Sequence, residues 1–187
     1  MTGQSQIVTP SLKVENIFKL NQADLNDICD ATEAAIEDGG GFGWVNVPPR
    51  DTLERYWQGV ITIPSRFLYV SRLDGVISGT AIVTHPPANN EARSHAAKIN
   101  DVFTAPWARS YGLSRLLLEK IEKDLVKDGF KVVNLDVNEK MTAAINMFES
   151  MGYKRIGTHP YYAEIDCEIV KGHYYTKWLD CGLPAPE

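Results

Sequence analysis

The sequence predicts a single α/β domain: a mixed, mostly antiparallel sheet of about seven strands flanked by about four helices. Three observations predict it. Residues 95–138 run strand, tight turn, amphipathic helix, strand, an order that forces a crossover and makes the two strands parallel neighbours. Upstream, Asp74-Gly75 separates two strand-like runs and is the dipeptide of a two-residue hairpin, so antiparallel pairs accompany the parallel one. The chain of 187 residues, 44% hydrophobic, fills one core and is too short for two ordinary domains. The domain is expected over 11–181, with a loose polar arm at 1–10 and a short tail at 182–187.

The elements follow in order. A first strand is expected at 13–20. From Asn21, Leu25, Ile28, Thr32 and Ile36 recur at helical spacing, with Asn21 and Asp24 as a cap and Gly39-Gly40-Gly41 as the stop. After Pro48-Pro49, Leu53, Tyr56, Trp57 and Val60 make the apolar stripe of a second helix, closed by Pro64. Strands at 66–73 and 76–85 form the hairpin, 86–94 reads as a loop, and 95–104 is the fourth strand. Leu113, Leu116, Leu117, Ile121 and Leu125 share one face of a third helix that Gly129 ends. A buried strand at 130–138 precedes a fourth helix carrying Ala144, Met147, Phe148 and Met151. Two last strands, 153–159 and 173–179, are expected as a hairpin joined by a long polar connection.

The turn into the third helix carries chemistry. Backbone N–H groups at a helix start lack intrahelical partners, and the helix dipole adds positive charge, so the segment is a seat for phosphate. Gly112 permits a left-handed or closely approached backbone, Ser110 and Ser114 add hydroxyls, and Arg109 and Arg115 add charge. Ligands of such sheets sit beyond the carboxyl ends of the strands.

Composition narrows the function classes. A net charge of −5 gives no basic field for nucleic acid or an anionic membrane. Three scattered cysteines, Cys29, Cys167 and Cys181, have no zinc spacing and suggest free thiols in a reducing compartment; no metal is expected. No leader-like or bilayer-length apolar stretch is present, and a cytoplasmic location is expected.

Arg109-Ser110-Tyr111-Gly112-Leu113-Ser114, between a strand and a helix, resembles the acetyl-CoA-binding motif of the GNAT acetyltransferases, Gln/Arg-x-x-Gly-x-Gly/Ala, with Ser114 in the last position. The element order is also the GNAT order. Gly40–Trp44, His95, Leu135-Asp136, Ile156-Gly157-x-x-Pro160-x-Tyr162 and Tyr175-x-Lys177-x-Leu179 look like the tabtoxin-resistance subgroup. The resemblance implies a parallel strand pair splayed around acetyl-CoA, bound by residues 109–115, by the backbone of Val102, Phe103 and Thr104, and by Phe148. It implies direct acetyl transfer to the primary amine of a small molecule, such as an amino acid, a polyamine-like compound or an amine-bearing toxin. A protein lysine or N-terminal acetyltransferase, or a non-catalytic acyl-CoA-binding module, stands as the alternative, and a homodimer is allowed.

Two positions depart from the family. Where a proton-donating Tyr is common, Phe148 stands; where an acid is common on the fourth strand, Lys98 stands. The resemblance then points to Asp136 as the acidic residue, binding the substrate ammonium or accepting its proton through water, or capping the loop after its strand. Tyr162 and Tyr161 donate a proton, line the acceptor pocket or pack a loop. Phe42 and Trp44 form an acceptor-side wall or a satellite core. Asp101 and Glu91 are further acids whose facing the alternation of the strand leaves unresolved.

Overall fold

The computed structural model describes residues 9–40, 43–179 and 182; Phe42, Cys181, the start of the arm and most of the tail lie outside them. The elements are β1 (Leu12–Ile17), α1 (Gln22–Glu37), α2 (Arg50–Thr62), β2 (Arg66–Leu73), β3 (Val76–Thr84), β4 (Ala96–Thr104), α3 (Leu113–Lys127), β5 (Val132–Asn138), α4 (Thr142–Ser150), β6 (Lys154–Ile165) and β7 (Glu168–Trp178). The seven strands form one sheet in the order β1-β2-β3-β4-β5-β7-β6. Only β4 and β5 are parallel; the other neighbours are antiparallel, as the crossover and the hairpin dipeptide require.

Local signals set the helix ends. The Asn21 side chain accepts from the Asp24 N–H at 2.9 Å and caps α1, and Asp74 and Gly75 both take positive φ in the β2–β3 turn. The last hairpin differs from expectation. Residues 160–172 continue both strands, which meet in a tight turn at Asp166-Cys167 with φ of 53° and 62°. Neither residue is a glycine, and a lone Asp beside a Cys is only a weak turn signal.

The sheet divides two cores. On one face Leu117, Leu118, Ile121 and Leu125 of α3 pack with Ala97, Ile99, Val133, Leu135, Phe148 and Tyr175. On the other, Leu25, Ile28, Leu53 and Trp57 of α1 and α2 pack with Leu68, Val70, Ile82 and Phe103. Trp57 is fully buried, and its indole N–H donates to Thr32 Oγ1 at 3.0 Å, so the largest side chain of this core leaves no unmet donor.

Irregularities in the ladder position the site. The β4–β5 pairing covers only Ala96 to Lys98 against Val132 to Asn134, after which the strands diverge. Between β3 and β4, Thr80 faces Phe103 but Ile82 faces Asn100, so β4 carries an extra residue, and Asp101 there has φ of 52°. Between β6 and β7 the register shifts from His159↔Gly172 to Ala163↔Val170, bulging Pro160, Tyr161 and Tyr162 out of the ladder.

Candidate active site

A cavity of about 600 Å³ opens where β4 and β5 part. Its floor is Ile99, Val102, Leu135 and Phe148, its roof is Gly39, Trp44 and Val45, and Tyr162 to Asp166 of the last hairpin close one side. Glu37, Asp101, Asp136, Glu164 and Asp166 line it, with no lysine, arginine or histidine among the described lining residues.

Asp136 sits on β5 two residues past the last parallel pair. Lys98 Nζ lies 2.6 Å from its Oδ1, and the Tyr162 hydroxyl donates a short hydrogen bond to its Oδ2. The lysine is half exposed and the carboxylate only 19% exposed, so the pair is screened from one side only. Burial, then the Asp136 hydrogen bond and charge, hold the Tyr162 phenol well above its ordinary range, so it stays protonated. Its ring lies flat against Gly172, the one residue of β7 that leaves room for it.

A second carboxylate–tyrosine pair lies across the cavity. The Tyr56 hydroxyl donates to Asp101 Oδ2 at 2.6 Å. The Thr80 hydroxyl donates to the Asp101 carbonyl at 3.1 Å and fixes the bulge. Burial raises the Asp101 carboxyl above the usual range, partly offset by the Tyr56 hydrogen bond and the charges of Arg66 and Lys98. The Tyr56 phenol is likewise pushed up by burial and by Asp101. Sequence reading placed Tyr56 in an apolar stripe; the only signal for its second role was the hydroxyl.

The residues expected around the cofactor fall in two groups. Val102 lines the cavity, and the β4 edge beyond Lys98 has no strand beside it, leaving backbone groups for an extended ligand. The Phe103 side chain points the other way, into the α1/α2 core beside Trp57. Thr104 and Ser114 share a 2.7 Å hydrogen bond that ties the end of β4 to α3. Phe148 is buried at the cavity floor against Tyr153 and Tyr175.

At the turn, Ser110 and Gly112 take φ of 70° and 76°, and Gly112 begins α3 with no side chain capping it. The first-turn N–H groups thus face outward, which fits a phosphate-bearing ligand. Ser110 and Tyr111 are exposed, whereas the Leu113 side chain is buried, so that residue offers only its backbone. Arg109 pairs with Asp38 at 2.6 Å and Arg115 donates to Ser150 at 2.6 Å. The Arg109 pair is roughly half exposed, and such pairs are worth about 0–1 kcal/mol, so an incoming phosphate can displace the carboxylate. The residues that the resemblance assigns to acetyl-CoA fit such a group: the uncapped turn suits its phosphates and the free β4 edge suits its arm.

The expected acceptor-side residues separate. Trp44 does line the cavity and also stacks edge-on to Tyr56 at 6.2 Å, so wall and satellite packing coexist. Tyr161 is 76% exposed and lies outside the cavity lining; Glu91 sits in a short 3-10 turn before β4, away from the fork.

Residues 32–153 match the acetyltransferase (GNAT) family. Over 126 residues the chain is 52% identical to a protein of Azospirillum brasilense described as an uncharacterized N-acetyltransferase in the hisH-hisA intergenic region, covering 67% of this chain and 75% of that one. The fold is similar to that of an N-acetyltransferase from Staphylococcus aureus Mu50, with a TM-score of 0.75 at 15% identity over 91% of this chain and 99% of the other. It is similar also to YncA of Salmonella typhimurium, solved with its cofactor acetyl-CoA, with a TM-score of 0.73 at 16% identity over 95% and 98%. A splayed parallel pair, an uncapped helix turn and a match across most of the chain agree: this chain belongs to the GNAT family and is an acetyl-CoA-dependent N-acetyltransferase.

Proposed function

We propose that the acceptor is the primary amine of a small molecule. The observation that carries this is the cavity itself: it has the volume of a small-molecule site and is lined by five carboxylates with no described basic residue. Such a lining concentrates cations and disfavours acceptors that bring a carboxylate deep into the fork. The subgroup likeness, which rests on sequence motifs, adds amine-bearing toxins to the acceptors worth testing.

An alkylammonium of pKa near 10.4 is free amine to only about one part in two thousand at neutral pH, a handicap of about 4–5 kcal/mol that the site has to meet. Asp136 recognises the arriving ammonium by exchanging it for Lys98, whose Nζ already occupies that position on Oδ1. Tyr162 takes the part that Phe148 cannot: once its hydroxyl, which donates to Asp136 Oδ2, turns to the sulfur, it is the proton source for the departing thiolate. Its phenol is protonated at neutral pH, as a donor must be before the step. The thiolate, with a thiol pKa of about 8–9, leaves tolerably without a strong acid.

Release of CoA from acetyl-CoA with a panel of monoamines, diamines, amino acids, amine-bearing toxins and lysine peptides tests this. Turnover of small amines that drops on the order of 10²-fold in Asp136→Asn or Tyr162→Phe is expected. Turnover of peptides alone would overturn the small-molecule reading.

A further inference from the structure

We infer that the acceptor is a zwitterion, an amino acid whose carboxylate binds in a second cavity between Arg93 and Lys98 while its ammonium reaches Asp136 at the mouth of the fork. The inference rests on the small-molecule reading and narrows it to one substrate class.

The second cavity, of about 470 Å³, lies on the face of the sheet away from α3. Ala97, Ile99, Val133, Leu135 and Tyr175 belong to the α3 core, so by alternation Lys98, Asn134, Asp136 and Tyr174 point the other way. Among the described residues, none of β5, β6 or β7 belongs to the α1/α2 core, which leaves this part of the face open. The ladder sets Thr84, Lys98 and Asn134 side by side across β3, β4 and β5. Residues 85–93 bound the cavity on one side, and Tyr174 and Ile156 of the last hairpin bound it on the other.

Charge distinguishes the two cavities. The fork is lined by five carboxylates and no described basic residue. The second cavity is lined by Arg93 and Lys98, and its one carboxylate, Asp136, is already paired with Lys98. Arg93 ends an exposed 3-10 turn and makes no ion pair among the described residues, whereas Arg50, Arg55, Arg72, Arg109 and Arg155 each pair with a carboxylate. An open guanidinium beside the amides of Asn90 and Asn134 suits a planar oxygen acid, which it can bind through two parallel hydrogen bonds.

Leu135 and Asp136 line both cavities, so the two meet at that carboxylate. An ammonium that takes Oδ1 from Lys98 releases a half-exposed lysine into the second cavity. With a plain amine, that exchange leaves the lysine without its counter-ion. An amino acid supplies both ends: its ammonium replaces Lys98 on Asp136, and its carboxylate receives Lys98 together with Arg93. The carboxylate also stays outside the acidic fork, where it would be repelled. Pro86, Pro87, Ile156 and Tyr174 offer the rest of the molecule an apolar surface.

The test is kcat/KM by CoA release for 4-aminobutyrate against n-butylamine, and for L-leucine against isoamylamine, each rate taken per free amine, with a lysine peptide alongside. One of the amino acids should exceed its decarboxylated counterpart on the order of 10²-fold. Arg93→Gln should cut that ratio on the order of 10-fold, and Arg93→Lys should restore part of it. Lys98→Met removes a cation from the carboxylate and a competitor from Asp136, so KM should rise for the amino acid and fall for the amine. Structural damage does not move the two in opposite directions. Turnover of small amines with no gain from a carboxylate would overturn this inference and leave the small-molecule reading standing; turnover of the peptide alone would sink both. A preference that survives Arg93→Gln, or equal shifts for both acceptors in Lys98→Met, would also overturn it. Were Lys98→Met not to fold, the Arg93 variants, on an exposed turn, decide alone.

Discussion

Replacing Gly172 by Ala should disable the enzyme through Tyr162 while leaving the fold intact. Gly172 has no left-handed backbone to protect, so the reason for a glycine is space alone. A Cβ built there would fall on the Tyr162 ring, 2.6 Å from Cδ1 and closer still to Cγ and Cδ2. Carbon atoms settle at about 3.5–4.0 Å, so the ring has to retreat by roughly 1 Å or more. Because the clash is at the ring base, rotation cannot relieve it, and the hydroxyl leaves Asp136. Overpacking costs about 1–3 kcal/mol, which for a chain of this size lowers the melting temperature by roughly 2–4 °C per kcal/mol. Misplacing a reacting group by about 1 Å costs on the order of 10²-fold in kcat. CoA release and thermal melting should be measured for Gly172→Ala, Tyr162→Ala and the double variant. With the ring gone, the added methyl meets open space, so the second change should cost little on top of Tyr162→Ala. Equal losses in both backgrounds, or full activity of Gly172→Ala, would refute the reasoning.

Gly112 has φ of 76°, so Gly112→Ala places an L-residue in left-handed geometry at a cost of about 1–2 kcal/mol, and calorimetry should show weaker acetyl-CoA binding alongside a modest fall in melting temperature. Cys29 is fully buried with its thiol pushed up to about 11 by desolvation, whereas Cys167 is exposed in the last hairpin turn; alkylation of native protein near pH 7.5 should modify Cys167 and spare Cys29, as read by peptide mass. His85 lies between the rings of Phe67 and Phe130 at 4.3 and 4.4 Å, and burial lowers its pKa. The unfolded chain thus binds the proton more readily, so the stability His85 contributes is complete above its unfolded value of about 6.5 and is lost as pH falls through the lower folded value; His85→Leu should flatten the melting temperature over that window.

Much of the fold was legible because its elements obey simple periods. The α3 stripe, in which Leu118 is buried and the expected Leu116 is exposed, the Asn21 cap, the Asp74-Gly75 turn and the strand–helix–strand crossover each state their own geometry locally, and the sheet order follows from them. The uncapped turn at Gly112 was legible for the same reason. The last hairpin was not: Asp166-Cys167 turns the chain without glycine, and β6 loses its alternation where Pro160 to Tyr162 bulge out, so two long strands read as two short ones and a loop.

The site is where those periods fail, and that explains what sequence reading missed in it. Asp136 lies on a regular strand past the point of splay, and its placement follows from the crossover alone. Its partner Tyr162 and the carboxylate Asp101 both sit in bulges: the one extra residue of β4 reverses which face the following side chains join, whereas the two extra residues of β6 keep the parity and lift Tyr162 out of the ladder. Period-two counting leaves the facing of Asp101 open and does not reveal that Tyr162 leaves the ladder, because an insertion is defined by the partner strand and not by the strand that carries it. Tyr56 was hidden differently: its ring belongs to the helical stripe and only its oxygen belongs to the site. The two tyrosine–carboxylate pairs therefore depend on contacts 26 and 45 residues apart in sequence, bridging a strand to a hairpin and a strand to a helix. A change in either bulge, even one that keeps every site residue, should separate a pair and silence the chemistry before it unfolds the sheet.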